Sequence, residues 1–109
     1  MGARSFTPSL VHDDLHLDNI RVTPDNKIFL IDFDGAFWGD ALYDFAEFKY
    51  FHPKLYTKLR KLYSSNIFKN EKAAMELYSF HRALDLAAFF ASKGKLAKAK
   101  KAISTAAVI

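Results

Sequence analysis

The apolar pattern of this chain changes period once, after Gly35, and that change limits it to an α+β arrangement dominated by helix. Before the change, Ile20-Arg21-Val22 alternates apolar and polar, and Thr23-Pro24-Asp25-Asn26 supplies turn chemistry. Lys27 to Ile31 reads as a return strand, so 20–34 form a β-hairpin. The four consecutive apolar residues from Ile28 to Ile31 predict a strand covered on both faces. Beyond the change, Asp40 is placed to cap a helix over 41–51, with Leu42, Phe45, Ala46 and Phe48 near one face. Pro53 stops it and opens a second helix, in which Leu55, Leu59, Leu62 and Tyr63 repeat at helical spacing. A long third helix runs from Asn70 to Ser92 with the stripe Ala74, Leu77, Tyr78, His81, Leu84, Ala88 and Phe89 or Ala91; Gly94 ends it. The last helix, Lys95 to Ala107, sets Leu96, Ala99, Ala102 or Ile103, and Ala106 opposite its lysines.

With 109 residues, half of them hydrophobic, the chain can build one modest core and is not disordered. It has no cysteine, which excludes a disulfide scaffold, a thiolate metal site and a cysteine nucleophile. The net charge of +4 is unevenly spread. Asp13, Asp14, Asp18, Asp25, Asp32, Asp34, Asp40 and Asp44 face only Arg21 and Lys27 in the same stretch, whereas Lys93, Lys95, Lys98, Lys100 and Lys101 have no acid among them. That balance fits a cation-binding site followed by a solvated helix, and nucleic acid is not an expected partner. No apolar run is long enough to span a membrane. Met1 to Leu10 lacks an apolar signal core, so a cytoplasmic location is expected.

The chemistry concentrates between Leu10 and Asp44. Two apolar segments each deliver polar residues into an adjoining loop, one from His12 to Asn19 and one from Asp32 to Ala36. The hairpin between them brings those loops side by side, which places Asp14, Asn19 and Asp32 within reach of one centre. Carboxylate and amide oxygens suit Mg²⁺ or Mn²⁺ better than zinc. A Mg²⁺ held by two protein ligands completes its shell with water and substrate phosphates. The plainer alternative is that these three are turn and capping residues. His12 and His16 stand four apart, a zinc spacing on a helix, but a loop is expected here and the Glu of a zincin is missing. Asp34 is either a support for the metal or a solvated loop residue. Trp38, Phe33, Phe37, Phe45 and Phe48 read as core, and His52 and His81 as structural.

Taken in order, these elements resemble the catalytic and metal-binding loops of the aminoglycoside phosphotransferase and choline kinase-like superfamily, whose fold is related to protein kinases. Its H-x-D-x-x-x-x-N pattern is met by His12, Asp14 and Asn19, its I-D-F by Ile31-Asp32-Phe33, and its W/Y-G-D-x-x-x-D by Trp38-Gly39-Asp40 and Asp44. The resemblance implies that Asp14 accepts the proton of the attacking hydroxyl, and that Asn19 and Asp32 hold the Mg²⁺ ions that bridge ATP phosphates. It also implies that His12 ties the loop backbone, that His16 holds the loop or faces substrate, and that Asp40 and Asp44 brace the loop and the helix after it. This chain departs from the family in carrying Asp13 where glycine is common, and Leu17-Asp18 where Pro-Gly is common.

The expected architecture is therefore the mainly helical C-terminal lobe of a protein-kinase-like fold as one unit, 1–109. Its catalytic loop is 10–19, its hairpin 20–32, its metal loop 32–36 and its helical part 40–107. Nine residues precede Leu10 and no glycine-rich loop is present, so the N-terminal nucleotide-clamping lobe is expected to be absent. An apolar surface over 28–34 would then be exposed and favour self-association. The function implied is ATP- and Mg²⁺-dependent phosphoryl transfer to a small-molecule hydroxyl of aminoglycoside-, choline- or sugar-like type. Its alternatives are an inactive remnant acting as an interaction domain and a metal-dependent phosphohydrolase.

Overall fold

The computed structural model describes residues 5–62 and 68–106 and has an α+β architecture. Four short strands come first: β1 (Ser9–Val11), β2 (Ile20–Val22), β3 (Ile28–Leu30) and β4 (Phe37–Gly39). Four helices follow: α1 (Leu42–Phe51), α2 (Pro53–Leu62), α3 (Glu71–Ser92) and α4 (Leu96–Ala106). The strands form two antiparallel ribbons, and a 3₁₀ turn at Leu17–Asn19 leads into the second. β2 pairs with β3, Arg21 opposite Phe29, which is the expected hairpin. β1 pairs with β4, Leu10 opposite Trp38, and so closes the ends of the acidic stretch onto each other. Asn26, at φ +65°, makes the hairpin turn, and its N–H donates to the Thr23 carbonyl at 2.9 Å. Asn tolerates this left-handed conformation because its short side chain bonds locally.

The core lies where α1 meets α2 and the start of α3: Leu42, Ala46, Tyr56, Phe68 and Met75, with Phe45, Phe48, Ala74 and Tyr78 packed around them. Leu42 is completely buried, which stabilises the fold by about 2 kcal/mol. A smaller cluster of Ala87, Ala99 and Ala102 joins α3 to α4. The Tyr50 hydroxyl ties α1 to α4 by donating to the Ala102 carbonyl at 2.6 Å.

Helix positions match the periodicity closely, but helix faces do not. On α3 the buried row is Met75, Ser79, Ala83 and Ala87, whereas Leu77, Leu84, Ala88 and Phe89 of the expected stripe are exposed. Small residues four apart let the α1 and α4 backbones approach closely, so the helix turns that side inward and leaves larger side chains outside. On α2 the buried residue is Tyr56, not Leu55 or Leu62. On α4 only Ala99 and Ala102 are buried, and Leu96 is exposed. Tyr63 and Ala107, expected on the second stripe and at the chain's last helical position, lie outside the described residues.

Coverage of the apolar return strand is overturned outright. Ile28, Phe29, Leu30 and Ile31 are 69%, 52%, 45% and 37% exposed, so the described residues do not cover this strand on both faces. Trp38, Phe33 and Phe37, expected in the core, are exposed as well, while Phe45 and Phe48 do pack against it. Among the described residues no helix is long and apolar enough to cross a membrane.

Candidate active site

The β1–β4 ribbon carries a bend at residues 12–19 whose backbone is held from beneath by carboxylates of α1. Asp44, on the first turn of α1, accepts the N–H of His12 at 2.8 Å and that of Asp13 at 3.0 Å. One turn further on, Glu47 accepts the N–H of Leu15. Asp40 serves α1 itself: its Oδ1 accepts the Leu42 N–H at 3.0 Å, and its Oδ2 accepts the Tyr78 hydroxyl from α3 at 3.0 Å. Gly39 precedes it because a Cβ there would fall 2.8 Å from the Phe37 ring.

His12 is buried and fixed in one tautomer by its partners. Nδ1 accepts the N–H of Asp14 at 3.1 Å, which leaves Nε2–H to donate to the Ile31 carbonyl at 2.6 Å. The Ile31 N–H in turn donates to the Asn19 carbonyl at 2.9 Å. These two bonds dock the end of β3, and therefore Asp32, beside the 12–19 loop.

Asp14 and Asn19 come together directly. The Asn19 amide nitrogen donates to the Asp14 carbonyl at 2.8 Å and to Asp14 Oδ2 at 3.0 Å, which turns the amide oxygen away from the carboxylate. Asp14 Oδ1 receives Arg82 Nη2 from α3 at 3.1 Å and lies 3.1 Å from His16 Nε2. His16 also stacks edge-on against Phe51 and lies 4.0 Å from Asp18. Asp32 is exposed at φ +62°, next to this cluster along the backbone but not part of its hydrogen-bond network. Asp34 sits in the exposed turn closed by the Ala36 N–H donating to the Phe33 carbonyl at 3.0 Å. Among the described residues no three His, Asp or Glu side chains converge as a ready-made metal cage.

Asp13 adopts φ +72°, a conformation that favours glycine. The residue type common at this position in the resembling family is thus the one the backbone asks for. Burial pushes the Asp13 carboxyl up, against the Arg82 charge and a Tyr43 hydrogen bond that pull it down. Gly35 leaves room for it, since a Cβ there would stand 3.1 Å from Asp13 Oδ2.

Two participants escaped the sequence reading. Glu47 is 1% exposed, and burial raises its carboxyl to about 7 even though Arg82 and the Leu15 N–H oppose the shift. Arg82 Nε lies 3.2 Å from Glu47 Oε2, a close charge contact that lacks the alignment of a hydrogen bond. Each is one of the few charges in an aromatic- and alanine-rich helical stretch, and that was the available signal. His52 also reaches the loop, accepting the Leu17 N–H at 3.2 Å; burial, then His16, lowers its basicity. An open groove of about 940 Å³ bordered by Lys49, Tyr56, Arg60 and Phe80 lies apart from these residues.

Neither a search of curated proteins nor a search of solved structures returns a match. The family model described as the phosphotransferase enzyme family matches residues 2–78, from before β1 through the first two turns of α3. That span holds all three motif elements and more than half of the chain, so the chain belongs to the phosphotransferase enzyme family.

Proposed function

We propose that the chain carries the phosphoryl-transfer site of an ATP- and Mg²⁺-dependent small-molecule kinase, with Asp14 as the base and Asn19 and Asp32 as metal ligands. The observation that carries this reading is the placement of Asp14: Asn19 on one oxygen and Arg82 on the other fix a carboxylate at the head of the loop. With Asn19 donating to one oxygen and Arg82 to the other, a carboxylate with about four lone-pair sites can still accept another proton-bearing group, the acceptor hydroxyl. The donor set fits a hard cation, since the Asn19 amide oxygen is turned away from the Asp14 carboxylate and the Asp32 carboxylate is exposed. When bound, Mg²⁺ would neutralise charge on the transferring phosphates. His12 links the two loops, and Asp44 and Glu47 hold the loop backbone, so the chain's own work is positioning. The acceptor is a small molecule with a hydroxyl; choline-, sugar- and aminoglycoside-like compounds all meet that description.

Calorimetric titration of the 109-residue chain with ATP, with and without Mg²⁺, tests this. The expected result is Mg²⁺-dependent binding that weakens about tenfold or more in Asp32→Ala, a loss on the scale of one metal-ligand contact. Binding indifferent to Mg²⁺ and to Asp32, or no binding, would sink the reading for this chain. A second reading, an interaction domain without turnover, draws on the exposed apolar side chains of Ile28, Phe29 and Leu30 beside the loop. Self-association without ATP binding would favour it.

A further inference from the structure

We infer that Arg82 is a positioning residue for Asp14, gripping the loop through Glu47 as one ion-paired clamp between α1, α3 and residues 14–15. The inference rests on the kinase reading above, but not on the family match, which ends four residues before Arg82.

Three observations converge on this residue. Arg82 binds Asp14 Oδ1 through Nη2 at 3.1 Å and faces Glu47 Oε2 through Nε at 3.2 Å, so its planar fork spans two carboxylates. Glu47 uses its other oxygen on the Leu15 N–H. The pair therefore holds two consecutive loop residues, one by side chain and one by backbone. The Arg82 guanidinium also lies 5.5 Å from the Phe51 ring centroid, and its side chain is only 19% exposed. A lysine, a point charge on a flexible stem, cannot satisfy both carboxylates in this geometry.

The clamp has a chemical consequence. Phosphoryl transfer to water or a hydroxyl forms a new oxygen–phosphorus bond at the γ-phosphorus and breaks its bond to the bridging oxygen. ADP then leaves, and the proton of the attacking group passes to Asp14. A base displaced by about 1 Å loses about 100-fold in such a step, whereas nucleotide affinity, set elsewhere, is little changed.

The test compares the wild-type chain with Arg82→Met, Arg82→Lys and the double variant Arg82→Met with Glu47→Gln. The double variant removes both partners of the buried Glu47–Arg82 pair together, so it folds with no charge stranded at Glu47, and only the part-exposed Asp14 carboxylate loses its guanidinium partner. ATP binding with Mg²⁺ is read by calorimetry, phosphate release from ATP with water as acceptor by a coupled assay, and loop order by residue-resolved amide exchange. ATP affinity is expected to stay within about threefold throughout, while phosphate release drops about 100-fold in Arg82→Met and in the double variant. Arg82→Lys should recover to within about tenfold of wild type, since one of its two contacts survives. The amides of Asp14 and Leu15 should exchange faster in Arg82→Met while those of β2 and β3 are unchanged. Wild-type turnover in Arg82→Met or the double variant overturns the inference, as does unaltered exchange at Asp14 and Leu15. A wild-type chain that does not bind ATP with Mg²⁺ overturns the kinase reading instead, and the exchange measurement still decides whether Arg82 holds the loop.

Discussion

The two acidic loops of this molecule are built to different standards. The 12–19 loop rests on helices: Asp44, Glu47, His52 and Arg82 each reach it, and its His12 and Asn19 are buried. The loop after β3 hangs from a two-stranded ribbon whose apolar side chains are exposed, and it meets its neighbour through the Ile31 backbone, which bonds the His12 ring and the Asn19 carbonyl, and through Phe33 stacked on that ring. The contrast teaches that Asp14 is pre-placed by the helical region, whereas Asp32 takes its position from a hairpin that the described residues leave uncovered. The proposed base and the proposed metal ligand thus depend on different parts of the chain, and perturbing each part should report on each loop separately.

The largest effect is expected from Asp44→Ala. It strips acceptors from two backbone N–H groups, and hydrogen bonds to a charged group contribute about 1.5–3 kcal/mol each. Urea unfolding should show a loss of about 3 kcal/mol; a loss below about 1 kcal/mol would mean that the loop stands without α1.

A pH dependence sharpens the same point. Glu47 titrates near 7 in the fold against an ordinary 4.5, because burial disfavours its charged form. Below about 4.5 both states carry the proton, and between there and about 7 only the folded state keeps it. Stability should therefore fall as pH rises through that window and level off above it. Asp13, also raised by burial, contributes with the same sign. Glu47→Gln should flatten the decline, measured as the difference in urea midpoint between the two proteins across the window. Parallel curves would show that Glu47 is not the group responsible.

What could be read from the sequence follows the same division. The five-residue step from Asp14 to Asn19 is local, so the loop brings the two together as the spacing demanded. Asp40 was legible as a cap, and Asp44 through the resembling W/Y-G-D-x-x-x-D pattern, and both turn out to bind backbone N–H groups. Arg82 was not, because its partner Asp14 lies 68 positions away and the side of α3 that turns inward is chosen by its neighbours. Periodicity favoured the large residues of α3, but close approach of α1 and α4 selects Ser79, Ala83 and Ala87. The run from Ile28 to Ile31 misled for a related reason, since its composition asks for a second layer that the described residues do not supply.

A smaller effect is expected at Asp13. Its backbone sits at φ +72°, where a side chain costs about 1 kcal/mol, and burial further disfavours its charged carboxylate. Asp13→Gly should raise stability by about 0.5–1 kcal/mol in urea unfolding, the gain limited by the greater freedom of glycine in the unfolded chain. A loss of that size instead would show that the Tyr43 and Arg82 interactions of Asp13 outweigh its strained backbone.

The smallest effect on stability should come from the hairpin, and that is its diagnostic value. Phe29 stands opposite Arg21 in the ribbon and is half exposed, so Phe29→Ser removes little buried apolar surface. Its unfolding free energy should stay within about 0.5 kcal/mol of wild type, as for surface changes generally. Solubility is a separate matter, because Val22, Ile28, Phe29 and Leu30 expose apolar side chains on paired strands beside each other. Sedimentation should show association of the wild-type chain that strengthens with concentration and weakens in Phe29→Ser. A drop of about 2 kcal/mol or more in stability would mean that Phe29 is buried against this chain in solution. The two loops would then be held alike, and Asp32 would be as firmly placed as Asp14.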